Sequence, residues 1–546
     1  MTMTTARHLT LLMALSLGLL TSVNATAHGP QKPIIGDSPL PGPDPFTKEF
    51  ATFVHQQLDQ WKVPGVSIAV IDGDQVYAEG YGFATLPDIP ATPETLWYGA
   101  STTKSQTAAV LSTLIDSKNF TALSKGWSTP ISSIIRDDFV LRNEWATNHL
   151  TLEDAVSHRT GMTSHDMSLR RAINGKTVTP KDVVRNLRNL PSTTEPRVRF
   201  IYCNTMFVVL SHVIETVTGK WLGDSFKQLL WGPLGMNSTY FDLHEAKNAP
   251  NHLASGYYWD HRDEKFHEAS FITVTEISGA GGVISNVLDY AKWVKCLLNQ
   301  SEPLSAAVHA DIRTPRMIYS NQVGSGVDIT LYALGWTRTL HQGQVVYMHA
   351  GGMHAYGAQV YWLPERKFGI VAFANTALSS NAMEEVISWK LIDDKLNIPQ
   401  ADRFDHSAQW KTGFDRQNQN FKNAVDELYP NSPDPPLPSK LTMEELAGTY
   451  YDAGYGKITL RVQPHPDPDR AGENILVAYR PESTFKYSMK FEHVSDQYWI
   501  LYLMTADGGG YLDQILAAKF RVGVDGMVSG LEVEMEGKIM FERVRE

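Results

Sequence analysis

The sequence predicts a chain of mixed α and β structure that ends in a small all-β domain. Three observations carry this. Residues 66–71 and 76–82 are strand-like and flank the turn Asp72-Gly73-Asp74, which reads as a β-hairpin. Two apolar runs of helical spacing, 105–115 and 206–217, follow it. Residues 431–440 (Asn-Ser-Pro-Asp-Pro-Pro-Leu-Pro-Ser-Lys) form a Pro-rich linker. After the linker, short runs at 457–462, 475–479, 498–503 and 531–535 alternate polar and apolar residues between Gly and Asp turns, as in a barrel or sandwich.

Taken in order, residues 1–27 read as an export signal. Arg7 and His8 precede a short apolar core, 9–20, and Ala25-Thr26-Ala27 fits a small-x-small cleavage site. A secreted chain without a membrane span after cleavage is expected. Asn119, Asn237 and Asn299 each begin an Asn-x-Ser/Thr site, a glycosylation acceptor on a eukaryotic secretory route. Residues 28–45 are rich in Pro and Gly, and 46–61 have helical spacing. Residues 150–156 read as a helix opened by Thr151 and Asp154 in a near-capping box. Gly219 is placed to stop the helix over 206–217. Gly279-Ala280-Gly281-Gly282 reads as a tight loop leading into a further helix. Strands are expected over 344–348, 358–362 and 368–375, with His349 just past the end of the first.

The 546 residues leave room for more than one domain and a large core. At 42% hydrophobic, 20% charged and net charge −11, the chain has the composition of a globular protein and lacks the basic face of a nucleic-acid binder. Two cysteines, Cys203 and Cys296, exclude a disulfide scaffold and leave one bridge open. No metal-ligand spacing and no cofactor motif is found among the 18 histidines and the acidic residues, so neither is expected.

The candidate chemistry begins at Ser101 and Lys104. Residues three apart share a helix face, which sets a hydroxyl beside an amine at a helix start. A free lysine holds its proton to about pH 10.4; burial would free it to act as a base. Taken alone, the pair equally fits a helix cap with a solvated lysine. Tyr202-Cys203-Asn204 stands at the mouth of the second helix, where a phenol and an amide can face one cleft or serve as core and cap. His349-Ala350-Gly351-Gly352 is the third piece. A Gly-x-Ser-x-Gly elbow is absent.

As an ordered set, Ser101-Thr-Thr-Lys104, Tyr202-Cys-Asn204 and His349-Ala-Gly351 resemble the serine β-lactamase and D-alanyl-D-alanine carboxypeptidase superfamily. The likeness is greatest to class C β-lactamases and their esterase and D-aminopeptidase relatives. Val63-Pro64-Gly65, Ser157-His158-Arg159-Thr160-Gly161-Met162, Gly232-Pro233-Leu234-Gly235-Met236 and Leu334-Gly335-Trp336 extend it. The resemblance implies an α+β domain over 46–395, an antiparallel sheet flanked by helices plus a helical subdomain. A connecting segment, 396–440, would lead to a lipocalin-like β-barrel over 441–546. Leu446-Ala447-Gly448-Thr449-Tyr450 and Gly454-Tyr455-Gly456 support the barrel.

It further implies a serine hydrolase that acts on an ester or amide of a small molecule or peptide. Ser101 would be acylated, with Lys104 and Tyr202 handling its proton and the choice of base left open. Asn204, His349, Gly351 and Gly352 would bind substrate, and the N–H groups of Ser101 and Gly352 would form the oxyanion hole. One departure stands out: many members with β-lactam chemistry have Lys where this chain has His349, and His is largely neutral at pH 7. Acyl transfer from the same acyl-enzyme is a second reading, and a catalytically inactive binding protein a third. The barrel would either shape the cleft or serve stability and subunit pairing; the oligomeric state is left open.

Overall fold

The hairpin expected near the start of the chain lies within a nine-stranded antiparallel sheet. A computed structural model of the chain describes residues 42–324, 326–506, 508, 510 and 513–545. The export signal expected over 1–27 lies outside the described residues. Strand Gly65–Asp72 pairs on one side with Gln75–Thr85 and on the other with Phe368–Ala374. Residues some 300 positions apart therefore close the sheet. All eight residues of Gly65–Asp72 are buried, because both faces are covered. Val66, Ile68 and Val70 meet helices Lys48–Trp61 and Ser379–Lys395; Ala69 and Ile71 face the core that contains helix Val287–Asn299. Each fully buried Val or Ile contributes about 1.5–3 kcal/mol.

The expected helices form, and their ends follow from local chemistry. Thr151 caps Leu152–Val156 in a full capping box with Asp154. Helix Asn204–Thr218 buries every residue from Thr205 to Ile214 and ends at Gly219, whose φ of 68° suits glycine. Beyond the sheet, eight strands from Gly448–Asp452 to Lys538–Arg543 close into an antiparallel barrel. Tyr450 pairs with Arg543 to shut it. Met489, Phe491, Leu501, Phe520 and Phe541 fill it and join one continuous core with the sheet domain.

Several expectations are corrected. The strand over 344–348 runs on to Met353, so His349, Gly351 and Gly352 are strand residues rather than the loop after it. Gly279-Ala280-Gly281 is itself helical, within Ser278–Gly281. The connecting segment carries helices His406–Lys422 and Ala424–Leu428, the second packed on the barrel beside Val494 and Ile500. Cys203, not Asn204, stands at the helix N-cap. Cys203 and Cys296 are both buried and unbridged. Among the described residues no helix is long and apolar enough to cross a membrane.

Candidate active site

The site is built where the start of helix Thr103–Ser117 meets the strand Gln344–Met353. A 3₁₀ turn, Ala100–Thr102, leads into the helix, and Ala100 holds a φ of 46°. A non-glycine residue in the left-handed region is strained and persists only where its surroundings over-determine it. Here they do. Thr102 Oγ1 donates to the Gly99 carbonyl at 2.7 Å and lies 2.8 Å from the Tyr290 hydroxyl. Thr103 Oγ1 accepts from the Val283 N–H at 3.1 Å, and Thr107 Oγ1 donates to the Gly279 carbonyl at 2.8 Å. Gly335, at φ 70°, packs so closely on the helix that a Cβ would sit 2.6 Å from Ser105 Cα.

Lys104 is 0% exposed. Its Nζ lies 2.9 Å from Ser101 Oγ and 2.7 Å from the Ala280 carbonyl. The rings of Tyr202 and Phe207 stand 4.8 and 5.6 Å away. Burial lowers its pKa to about 7, against smaller upward pulls from Asp166 and Cys203. Its place in the first turn of a helix also disfavours the cation. An ammonium would donate to both oxygens. The neutral amine keeps a donor for Ala280 and turns its lone pair to the Ser101 hydroxyl.

Tyr202 and Asn204 arrive on the other side of the amine. The Cys203 N–H donates to His158 Nδ1 at 3.0 Å, and the His158 ring lies 4.4 Å from that of Tyr202. Burial drives His158 well below its ordinary pKa, so it is a neutral platform. Asn204 donates its side-chain amide to both Asp166 oxygens, at 3.2 and 3.1 Å. Burial raises Asp166 to about 6, while Asn204 and Lys104 pull it down.

Strand Gln344–Met353 forms the remaining wall. A Cβ on Gly351 would lie 2.5 Å from the Gly99 carbonyl and 3.2 Å from Ala100 Cβ, so only glycine lets strand and turn approach. His349 is 2% exposed. Its Nδ1 lies 2.6 Å from the Ala350 carbonyl, which can only accept, so that nitrogen carries the proton. Nε2 is then the acceptor for the Tyr332 hydroxyl at 3.2 Å. Burial, then the charge of Lys104, lowers its pKa to about 3. The ring at position 349 is thus uncharged and enclosed.

Ser101, Tyr202 and His349 thus lie around the Lys104 amine, Gly351 packs on the turn before Ser101, and Asn204 reaches the group through Asp166. Asn119, Asn237 and Asn299 are exposed at the surface. Sequence reading missed Asp166 and the Ala280 carbonyl. Nothing local marks Asp166, whereas the glycine-rich run around Ala280 was visible without its purpose. Asp260, Asp263 and His267 lie close enough to share an ion, but Arg262 already donates to both Asp260 oxygens.

A buried amine beside a serine on this fold defines a serine hydrolase of the β-lactamase type. The chain belongs to the β-lactamase family, whose model, described as Beta-lactamase, matches residues 50–388. It is 37% identical over 504 residues to an unguisins hydrolase of Aspergillus campestris, covering 92% of each chain. An unguisins hydrolase of Aspergillus violaceofuscus is 38% identical over 487 residues, covering 85% of this chain and 84% of that one. An octameric penicillin-binding protein homologue from Pyrococcus abyssi shares the fold, with a TM-score of 0.58 and 20% identity over 90% of this chain and 99% of that one.

Proposed function

We propose that this serine hydrolase cleaves an amide or ester bond through a covalent acyl-enzyme on Ser101. The observation that carries the reading is the buried Lys104 amine, 2.9 Å from Ser101 Oγ, with its pKa lowered to about 7. Near neutral pH about half of such a group is the free base. Lys104 takes the Ser101 proton as Oγ attacks the substrate carbonyl. The electron pair of the C=O bond moves to oxygen, and the N–H groups of Ser101 and Gly352 receive that charge. Losing one such donor typically costs about 2.7–4 kcal/mol of barrier. As the tetrahedral centre collapses, the leaving group departs with a proton supplied through Tyr202, and water, deprotonated in turn, releases the acyl group. Asn204, His349 and Gly351 line the substrate side.

The substrate is an unguisin or another small molecule or peptide. Likeness over nearly the whole chain to two hydrolases named for unguisins supports this. The neutral His349 fits a substrate without a carboxylate at that position better than a β-lactam. The chain is exported by residues 1–27 and glycosylated at Asn119, Asn237 and Asn299; all three side chains are exposed, which supports the second point.

One panel tests the reading: p-nitrophenyl esters, D-amino acid amides, an unguisin and a β-lactam, with wild type and Ser101→Ala. An active-site phosphonate should add one adduct, on Ser101. Full activity of Ser101→Ala would remove the nucleophile from this role. Export is checked by fractionation of a fungal host, and glycosylation by a glycosidase mobility shift.

A further inference from the structure

The Gly454-Tyr455-Gly456 turn joins the first two barrel strands and points at the hydrolase domain. Asp452 Oδ1 accepts from the Gly454 and Tyr455 N–H groups at 2.8 and 2.9 Å. Asn186 donates to the Gly454 carbonyl at 3.0 Å, and the buried Arg480 donates to the Tyr455 carbonyl at 2.7 Å. The turn is thus held from both domains, and it presents a tyrosine that is 1% exposed.

Tyr455 Oη lies 2.7 Å from His165 Nδ1. The other ring nitrogen, Nε2, lies 2.9 Å from the Pro191 carbonyl and so carries the proton. Nδ1 is therefore the acceptor and Tyr455 the donor. His165 is 0% exposed and its φ is 51°, a left-handed conformation that needs outside support. Glu536, from a later barrel turn, places a carboxyl oxygen 3.5 Å from the same Nδ1.

His165 sits between two residues that touch the Tyr202–Asn204 segment. On one side, Ser164 Oγ accepts from the Asn204 N–H at 2.8 Å and faces the Tyr202 carbonyl at 3.5 Å. On the other, Asp166 holds the Asn204 amide. The barrel grips the same loop further on. Tyr487 Oη donates to the Met167 carbonyl at 3.1 Å, the Thr484 N–H to the Leu169 carbonyl at 3.1 Å, and the Arg171 N–H to the Glu482 carbonyl at 2.9 Å.

We propose that Tyr455 is a positioning residue for the reaction at Ser101: through His165 it fixes the loop that holds Tyr202 and Asn204 in place. The barrel is then a structural part of the catalytic site. The inference rests on the acyl-enzyme reading above, and in particular on Tyr202 as the path of the leaving-group proton.

The test compares two butyrate esters of one acyl group, on p-nitrophenol and on ethanol. Expulsion of ethoxide needs a proton; expulsion of p-nitrophenolate does not. The kcat/KM ratio of the two is measured for wild type, Tyr202→Phe, Tyr455→Phe and Tyr479→Phe, the last an exposed barrel tyrosine. Simple loss of folded protein lowers both rates alike and leaves the ratio alone. Tyr202→Phe should shift the ratio by about 100-fold against the ethyl ester. Tyr455→Phe should shift it the same way by about tenfold, and Tyr479→Phe not at all. A shift in Tyr202→Phe with none in Tyr455→Phe overturns the inference and leaves the acyl-enzyme reading standing. No shift in Tyr202→Phe overturns its acid role and the inference with it. If Tyr455→Phe does not fold, His165→Asn, which tolerates the left-handed backbone and removes the ring, takes its place with the same expected shift.

Discussion

The Asn204 side-chain amide nitrogen donates across both oxygens of Asp166, a carboxylate that sits close enough to Lys104 for each to alter the other's pKa. The Asp166 anion raises the Lys104 pKa, while burial lowers it further to about 7. In the proposed mechanism Lys104 acts as the neutral amine, so kcat/KM should fall as pH drops through about 7. Removing the anion should let Lys104 lose its proton more readily. Asp166→Asn is therefore expected to move the acid limb of the pH profile to lower pH, with rate lost through the freed Asn204. Profiles from pH 5 to 9 on a p-nitrophenyl ester check this; a limb that stays put or moves up would refute the coupling.

Lys104 should also leave a mark on stability. Its folded pKa, about 7, lies below its unfolded value of 10.5. Between the two the unfolded chain binds more protons, so unfolding free energy rises with pH across that window. Lys104→Met removes the titrating group and should flatten this slope, while costing about 10²–10⁴-fold in rate. Urea unfolding of both proteins at pH 7, 8 and 9 reads the slope. Parallel curves would mean that Lys104 is not titrating as described.

The parts of the fold with local signatures were legible. The hairpin at Asp72-Gly73-Asp74, the Thr151 cap and the stop at Gly219 each follow from neighbours in sequence, and each forms. The ordered motifs named the Ser101, Tyr202 and His349 pieces because each keeps its own spacing. What stayed hidden depends on partners far along the chain. Strand Gln344–Met353 looked finished at Met348, where a glycine pair soon follows and glycines usually weaken strands, yet Gly351 admits the backbone of Gly99. Asp166 and His165 lie in a loop without periodicity, and their roles come from Asn204 and from Tyr455, 290 residues away.

Gly351→Ala is expected to be more damaging than a single methyl suggests. The added Cβ would meet the Gly99 carbonyl and Ala100 Cβ at once. Both belong to the strained turn that presents Ser101, so neither yields without moving Ser101, the proposed nucleophile. Overpacking of this kind costs about 1–3 kcal/mol. The variant should stay folded with a lowered Tm, and its phosphonate labelling of Ser101 should slow by about 100-fold. Labelling at the wild-type rate would show that strand and turn are not coupled.

Asp154 supports the approach to Tyr202 from a distance. Its side chain is fully buried, and it accepts from Arg159 Nε at 2.7 Å and from Arg197 at 2.9 and 2.7 Å. Arg197, at φ 68°, belongs to the strap that runs into Tyr202, and it also donates to the His149 carbonyl at 3.0 Å. Burial raises the Asp154 pKa, but hydrogen bonds from Arg197, the Thr151 N–H and Arg159 outweigh it, and the net shift is downward. A depressed carboxylate stabilises the fold above its unfolded pKa, and that contribution is lost as pH falls through the folded value. Removing one partner of a buried pair costs about 3–5 kcal/mol; about 3 is expected here, since both arginines reach solvent. Asp154→Asn should therefore lower stability at pH 7 and weaken its fall below pH 4. Its rate loss should be greater on an ethyl ester than on a p-nitrophenyl ester, because the loosened strap carries Tyr202. Equal losses on the two esters would confine Asp154 to stability alone.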